Sequence, residues 1–175
     1  MGTIQYPLPV KLIMAIFTRQ LELFDGIEAK LEEEYGKLDF KSSIFDFDYT
    51  DYYQDEMGPG LKKKFISFKN LIKLEKVNSI KNFTNVLEEK YSIKNKRVIN
   101  IDPGYISNAQ LVLASTKNFF HRIYLGKGIY AEVTLFFKEG TFQPLPWTYP
   151  DYKVESSINI FNKIRGIYRE QLVQL

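Results

Sequence analysis

The chain has 175 residues, enough for one domain with a sizeable core, and its 45% hydrophobic and 26% charged residues are the balance of a soluble globular protein. A net charge of +3 is too small to point by itself to a nucleic-acid partner. The absence of cysteine excludes disulfides, zinc thiolates and cysteine nucleophiles.

Near the N-terminus no basic leader precedes the apolar run Val10 to Phe17, which is short and carries Lys11. It is expected to be neither a signal peptide nor a membrane span, so a cytoplasmic location without a membrane partner follows. The stretch VKLIMAIFT, residues 10–18, is apolar at both parities and predicts a central strand covered on both faces. Leu21, Phe24, Ile27, Leu31 and Tyr35 then recur at helical spacing, and Gly36 stands where a helix would stop. SIFDFDY, residues 43–49, alternates as a strand, and TDYYQDEMGPG reads as a loop.

LKKKFISFKNLIKL offers Leu61, Phe65, Phe68 and Ile72 as a helical stripe with a lysine face around Lys62, Lys63 and Lys64. NSIKNFTNVLEEKY predicts a further helix capped at Asn78 or Ser79. RVINI, residues 97–101, predicts a strand ended by an Asp102-Pro103-Gly104 turn, and QLVLAS, residues 110–115, predicts another.

HRIYL and IYAEV flank Gly126-Lys127-Gly128, which predicts a hairpin with a three-residue loop. Counting back from Leu125 opposite Ile129 sets Tyr124 against Tyr130, Ile123 against Ala131, Arg122 against Glu132 and His121 against Val133. A slip of one residue would mix apolar and ionic side chains on one face, so this register is favoured. A second turn is expected near Glu139-Gly140, pairing Phe137 with Phe142. PLPWTYPDYK reads as a Pro-rich aromatic loop. A C-terminal helix turns Phe161, Ile164, Tyr168 and Leu172 inward. This order predicts a single α+β domain over residues 1–175, a mostly antiparallel mixed sheet with about four helices packed on it, with the first strand a candidate for parallel pairing.

Several residues carry candidate chemistry. His121 starts a strand at the rim of an apolar face, so it is either a satisfied rim residue or an acid/base group. Arg122 and Glu132 form either a cross-strand ion pair or a phosphate fork, with Glu132 orienting the guanidinium or sharing acid/base work. Ser115, Thr116 and Lys117 end a strand with two hydroxyls and an amine, a set suited to phosphate or to a polar turn. Asn100 and Asp102 share one face of a strand end and could hold Mg²⁺ or a sugar hydroxyl, or Asp102 could serve its own turn. Trp147 stands in the aromatic loop, ready to stack on a base or to plug the end of the sheet. Neither a G-x-x-x-x-G-K-[ST] loop nor a G-x-G-x-x-G helix start is present.

The leading expectation is therefore a pocket beside the 121–135 hairpin for a nucleotide or small phosphorylated metabolite. The alternative is an RNA- or protein-binding module using the lysine face and the Trp147 loop. The strings TDYYQDEMG, IKNFTNVLE, NIDPGY, LASTKNFFHRIYLGKGIYAEVTL and WTYPDY resemble the DUF4416 family over roughly residues 8 to 170. That resemblance implies a single-domain prokaryotic cytoplasmic protein and a polar site near His121, Arg122 and Glu132. It supplies no established activity. Enrichment in Lys, Ile and Asn agrees with a prokaryotic source.

Overall fold

The apolar run at residues 10–18 forms β1 (Val10–Thr18), and all nine of its residues are buried. A strand that is apolar at both parities cannot leave either face to water, so it takes the middle of a sheet. The computed structural model describes residues 2–174. Around β1 they build one sheet of nine strands, β2 (Leu38–Lys41), β3 (Phe45–Asp46), β4 (Lys62–Ile72), β5 (Ile99–Ile106), β6 (Gln110–Ser115), β7 (Arg122–Gly126), β8 (Ile129–Lys138) and β9 (Thr141–Pro144) completing it. The order is β2-β4-β1-β5-β6-β8-β7, with β3 paired to β4 and β9 to β8. Every pairing is antiparallel, including those of β1 with β4 and β5, which corrects the expected parallel partner.

Among the described residues five α-helices accompany the sheet: α1 (Leu23–Tyr35), α2 (Gln54–Met57), α3 (Val77–Lys90), α4 (Pro150–Lys153) and α5 (Glu155–Val173). Leu12, Met14 and Ile16 of β1 pack with Phe24, Ile27 and Leu31 of α1 and Ile80 and Leu87 of α3. Ile13 and Ala15 turn the other way, toward Phe161, Ile164 and Tyr168 of α5. The fold is thus α+β, with helices on both faces of an antiparallel sheet. Among the described residues no helix is long and apolar enough to cross a membrane.

Four further expectations need correction. The stretch 62–72 is β4, not a helix. Its stripe of Leu61, Phe65, Phe68 and Ile72 fits helical spacing, yet Phe65 and Ile66 are both buried, one on each face, as a central strand requires. Lys63 and Lys64 therefore point into opposite layers, where Asp151 and Glu28 meet them. Lys62 pairs with Asp46, so the exposed lysine face does not exist.

Asp102-Pro103-Gly104 lies inside β5 rather than forming a turn. The backbone of Ile101 bonds away from β1. Pro103 has the same parity, so its missing N–H falls on that side too and spares the β1 ladder. Gly104 serves close approach: a Cβ there would sit 2.2 Å from the Val112 carbonyl oxygen.

The aromatic loop also holds a single turn of helix, α4, with Pro150 at its first turn, where a missing N–H costs nothing. At the start of α3 no side chain caps the helix. A 3₁₀ turn, Leu74–Lys76, runs into it instead, and Asn78 Nδ2 donates to the Leu125 carbonyl.

Candidate functional site: a cavity where the sheet forks

β5 and β6 pair only where Gly104–Ile106 meets Leu111–Leu113. Beyond that point β5 stays with β1 down to Ile99, while β6 stays with β8 up to Ser115. The sheet therefore forks. α3 compensates the free edge of β5: Lys81 Nζ donates to the Ile101 carbonyl at 2.9 Å, and the Ile101 N–H donates to Glu88 Oε1 at 2.8 Å. Two side chains thus take the place of a neighbouring strand.

A cavity of about 430 Å³ occupies the fork. That is within the range of small-molecule pockets. Of the nine residues singled out in the sequence, seven line it: Asn100, Asp102, Ser115, Thr116, Lys117, Arg122 and Glu132. Two do not. The His121 ring stacks on Trp147 at 4.8 Å and 12° behind the wall. The Trp147 indole N–H donates to the Val133 carbonyl at 2.8 Å.

The hairpin that carries this wall pairs Arg122 with Glu132, Ile123 with Ala131 and Tyr124 with Tyr130, as the register count requires. Its tip is tighter than expected. Gly126 faces Ile129 and Leu125 bulges out, because Lys127 and Gly128 both take positive φ, 57° and 77°, in a two-residue turn. The second hairpin pairs Phe137 with Phe142 across Glu139-Gly140. The ionic side of the first hairpin is the buried one. Glu132 is 2% exposed, whereas Ile123 is 69% exposed.

Glu132 Oε2 accepts hydrogen bonds from His121 and from Arg122 Nε, and Arg122 Nη2 closes the ion pair. His121 Nε2 lies at 2.9 Å, Arg122 Nε at 2.9 Å and Arg122 Nη2 at 2.8 Å. A carboxylate only accepts, so His121 Nε2 is the donor, and Nδ1 is buried without a partner. The remaining Arg122 donors go to Ser115 Oγ at 3.2 Å, the Lys117 carbonyl at 2.9 Å and the Tyr149 hydroxyl at 2.8 Å. Four of its N–H groups donate to protein acceptors and Nη2 also closes the ion pair with Glu132, so Arg122 braces the wall rather than offering an open fork.

Sequence reasoning missed the other charged walls. Lys63 Nζ donates to Asp151 Oδ2 at 2.6 Å and sits within 5.5 Å of the rings of Phe17, Phe47, Phe65 and Tyr152. Arg97 binds Glu56 of α2 through Nε at 2.8 Å and Nη2 at 2.6 Å, and Asn100 Oδ1 through Nη1 at 2.8 Å. Burial pushes the Glu88 carboxyl up, against the pull of Lys81 and Arg97. The available signal was the spacing of Lys81 and Glu88, seven residues or two helical turns apart beside the buried Ile80 and Leu87.

Five cations line the cavity, Lys63, Lys81, Arg97, Lys117 and Arg122, against the four carboxylates Glu88, Asp102, Glu132 and Asp151. The site is nearly balanced rather than strongly electropositive. Four of the cations already hold a carboxylate. Among the described residues Lys117 holds none; its ammonium lies 4.1 Å from the centre of the Tyr52 ring and donates to the Tyr52 hydroxyl. Among the described residues no three acidic or histidine side chains converge as metal ligands. A second depression of about 610 Å³, between α2 and residues 93–98, shares Arg97 with the first.

No curated protein matches the chain, and no solved structure does. One family model matches, over residues 8–168, nearly the whole chain, so the chain belongs to the family described as a domain of unknown function, DUF4416.

Proposed function

We propose that the fork cavity binds a small phosphate-bearing ligand, a nucleotide or a phosphorylated metabolite. The observation that carries this reading is Lys117, the lining cation with no carboxylate partner among the described residues. It stands beside the hydroxyls of Ser115 and Thr116 at the end of β6. Ser115 Oγ already accepts from the Lys117 N–H at 3.1 Å and from Arg122 at 3.2 Å, which leaves its own proton to donate. Hydroxyl donors and a free ammonium at a strand end are the chemistry a phosphate needs. Tyr49, Tyr52 and Tyr149, each more than a third exposed on the cavity wall, offer flat faces for a ring. An acid/base step at this site would run through Glu132, the member of the His121–Glu132 pair that reaches the cavity. A prokaryotic and cytoplasmic setting is part of this proposal, resting on the family resemblance, with composition added for the first. The RNA-binding alternative loses its footing, since Lys63 and Lys64 are buried in ion pairs.

The test is a thermal-shift screen with nucleotides and sugar phosphates, with and without Mg²⁺, comparing the wild type with Lys117→Ala. Ligand at about 100 times its Kd stabilises the native state by about 2.7 kcal/mol. At least one phosphorylated compound should raise Tm, and Lys117→Ala should abolish most of that rise. A screen without a shift, or a shift that Lys117→Ala leaves intact, overturns the proposal.

A further inference from the structure

Asn100 presents a buried donor that nothing in the fold satisfies. The residue is 2% exposed, lines the cavity, and its Nδ2 has no hydrogen-bond partner. The orientation of its amide is fixed chemically. Arg97 Nη1 lies 2.8 Å from Oδ1, and a guanidinium only donates, so the oxygen must face it. The unmet group is therefore an N–H. Left unpaired it carries an uncompensated desolvation cost, which a ligand oxygen would relieve.

Asp102 is two residues further along β5 and shares its face. Its carboxylate is 30% exposed, and its nearest cation, Lys81 Nζ, is at a long 3.4 Å. An acceptor with spare lone pairs thus stands next to a donor with no acceptor. If the register of Gly104 opposite Leu113 is continued into the fork, Asp102 comes opposite Ser115 and Asn100 opposite Lys117. The arm that carries Lys117 suits a phosphate; the arm that carries Asn100 and Asp102 suits a group that both accepts and donates.

A hydroxyl does both, and a neighbouring pair of hydroxyls uses both side chains at once. We infer that the ligand is a phosphorylated polyol: Asn100 Nδ2 donates to one hydroxyl oxygen, and Asp102 accepts from the adjacent hydroxyl. This inference rests on the phosphate reading of the same cavity and adds the class of its remaining half. A site built to hydrogen-bond a hydroxyl rejects the analogue lacking it, because its buried polar groups are then left unpaired.

Calorimetric titration with ribose 5-phosphate, 2-deoxyribose 5-phosphate and inorganic phosphate tests it. The wild type should bind ribose 5-phosphate at least about tenfold more tightly than the deoxy compound, a gap of about 1.4 kcal/mol. Asn100→Asp keeps an oxygen for Arg97 and removes the N–H, so the ratio of the two affinities should fall to within about twofold. Taking the ratio cancels the effect of the added charge on phosphate. Equal wild-type affinities, or a preference that survives in Asn100→Asp, overturn the polyol inference and leave the phosphate site standing. Failure of all three probes and of AMP to bind overturns both. AMP in place of ribose 5-phosphate separates the sources: tighter binding assigns the site to a ribonucleotide, weaker binding to a free sugar phosphate.

Discussion

Arg122 and Glu132 show how the fold fixes the role of a residue. Both were legible as a pair from hairpin register alone, because a slip of one residue would mix the faces of the ribbon. Which face would be buried was not legible, since that depends on Trp147 and Tyr149 arriving from a distant loop. Burial changes what the pair does. An exposed pair would contribute about 0–1 kcal/mol, but Glu132 is 2% exposed and relies on Arg122 for two of its three strong contacts. Arg122→Ala should therefore cost about 3–5 kcal/mol, as expected when a buried carboxylate loses its partner. Urea denaturation measures it, and a loss below about 1 kcal/mol would mean that the wall re-solvates Glu132.

Two other carboxyls, Glu88 on the cavity wall and Glu56 behind Arg97, give opposite responses to pH. Burial raises Glu88, so the folded state holds its proton more tightly than the unfolded chain. Its contribution is fully present below the unfolded pKa and is lost as pH rises through the raised one. The Arg97 fork lowers Glu56, so its contribution is present above the unfolded pKa and is lost as pH falls through the lowered one. In urea melts between roughly pH 3 and 7, Glu56→Gln should lessen the loss of stability on acidification, and Glu88→Gln should remove a decline on the alkaline side.

At the scale of elements, the sequence pattern worked where local geometry decides. β1, β6, β8 with its hairpins and α5 all follow from alternation, turn chemistry or helical spacing. It failed at β4, where the spacing of Leu61, Phe65, Phe68 and Ile72 fits a helix and three consecutive lysines look like a solvated face. Only the tertiary partners Asp46, Asp151 and Glu28 allow those lysines to line a central strand. It failed again at Asp102-Pro103-Gly104, whose composition is that of a turn. The strand continues because the missing Pro donor faces the fork and Gly104 lets β6 approach. Gly104→Ala would force a Cβ to within 2.2 Å of the Val112 carbonyl oxygen and 2.8 Å of a Leu113 methyl. Overpacking of this kind costs about 1–3 kcal/mol. Gly104→Ala should also widen the fork, seen as faster amide exchange at Leu111 to Leu113. A variant as stable as the wild type would mean that the strands can part without cost.

The whole molecule places its site where its sheet is least regular. Both faces are covered by helices, and β5 and β6 part at a seam beyond a three-residue ladder. Seven residues from β5, the end of β6, β7 and β8 meet at that seam because these strands are consecutive in the sheet. Their adjacency was not readable, since antiparallel strand order depends on long-range pairing rather than on local pattern. Arg97 was invisible for the same reason, and the spacing of Lys81 and Glu88 on α3 marked a buried pair without showing that it faces the seam. The central claim, that this seam holds a phosphate-bearing ligand, is tested most directly by amide chemical-shift mapping during titration with ribose 5-phosphate. The account predicts saturable shifts concentrated on residues 99–102 of β5 and 113–117 at the end of β6. Shifts that cluster instead in the depression between α2 and residues 93–98, or that never saturate, would contradict it.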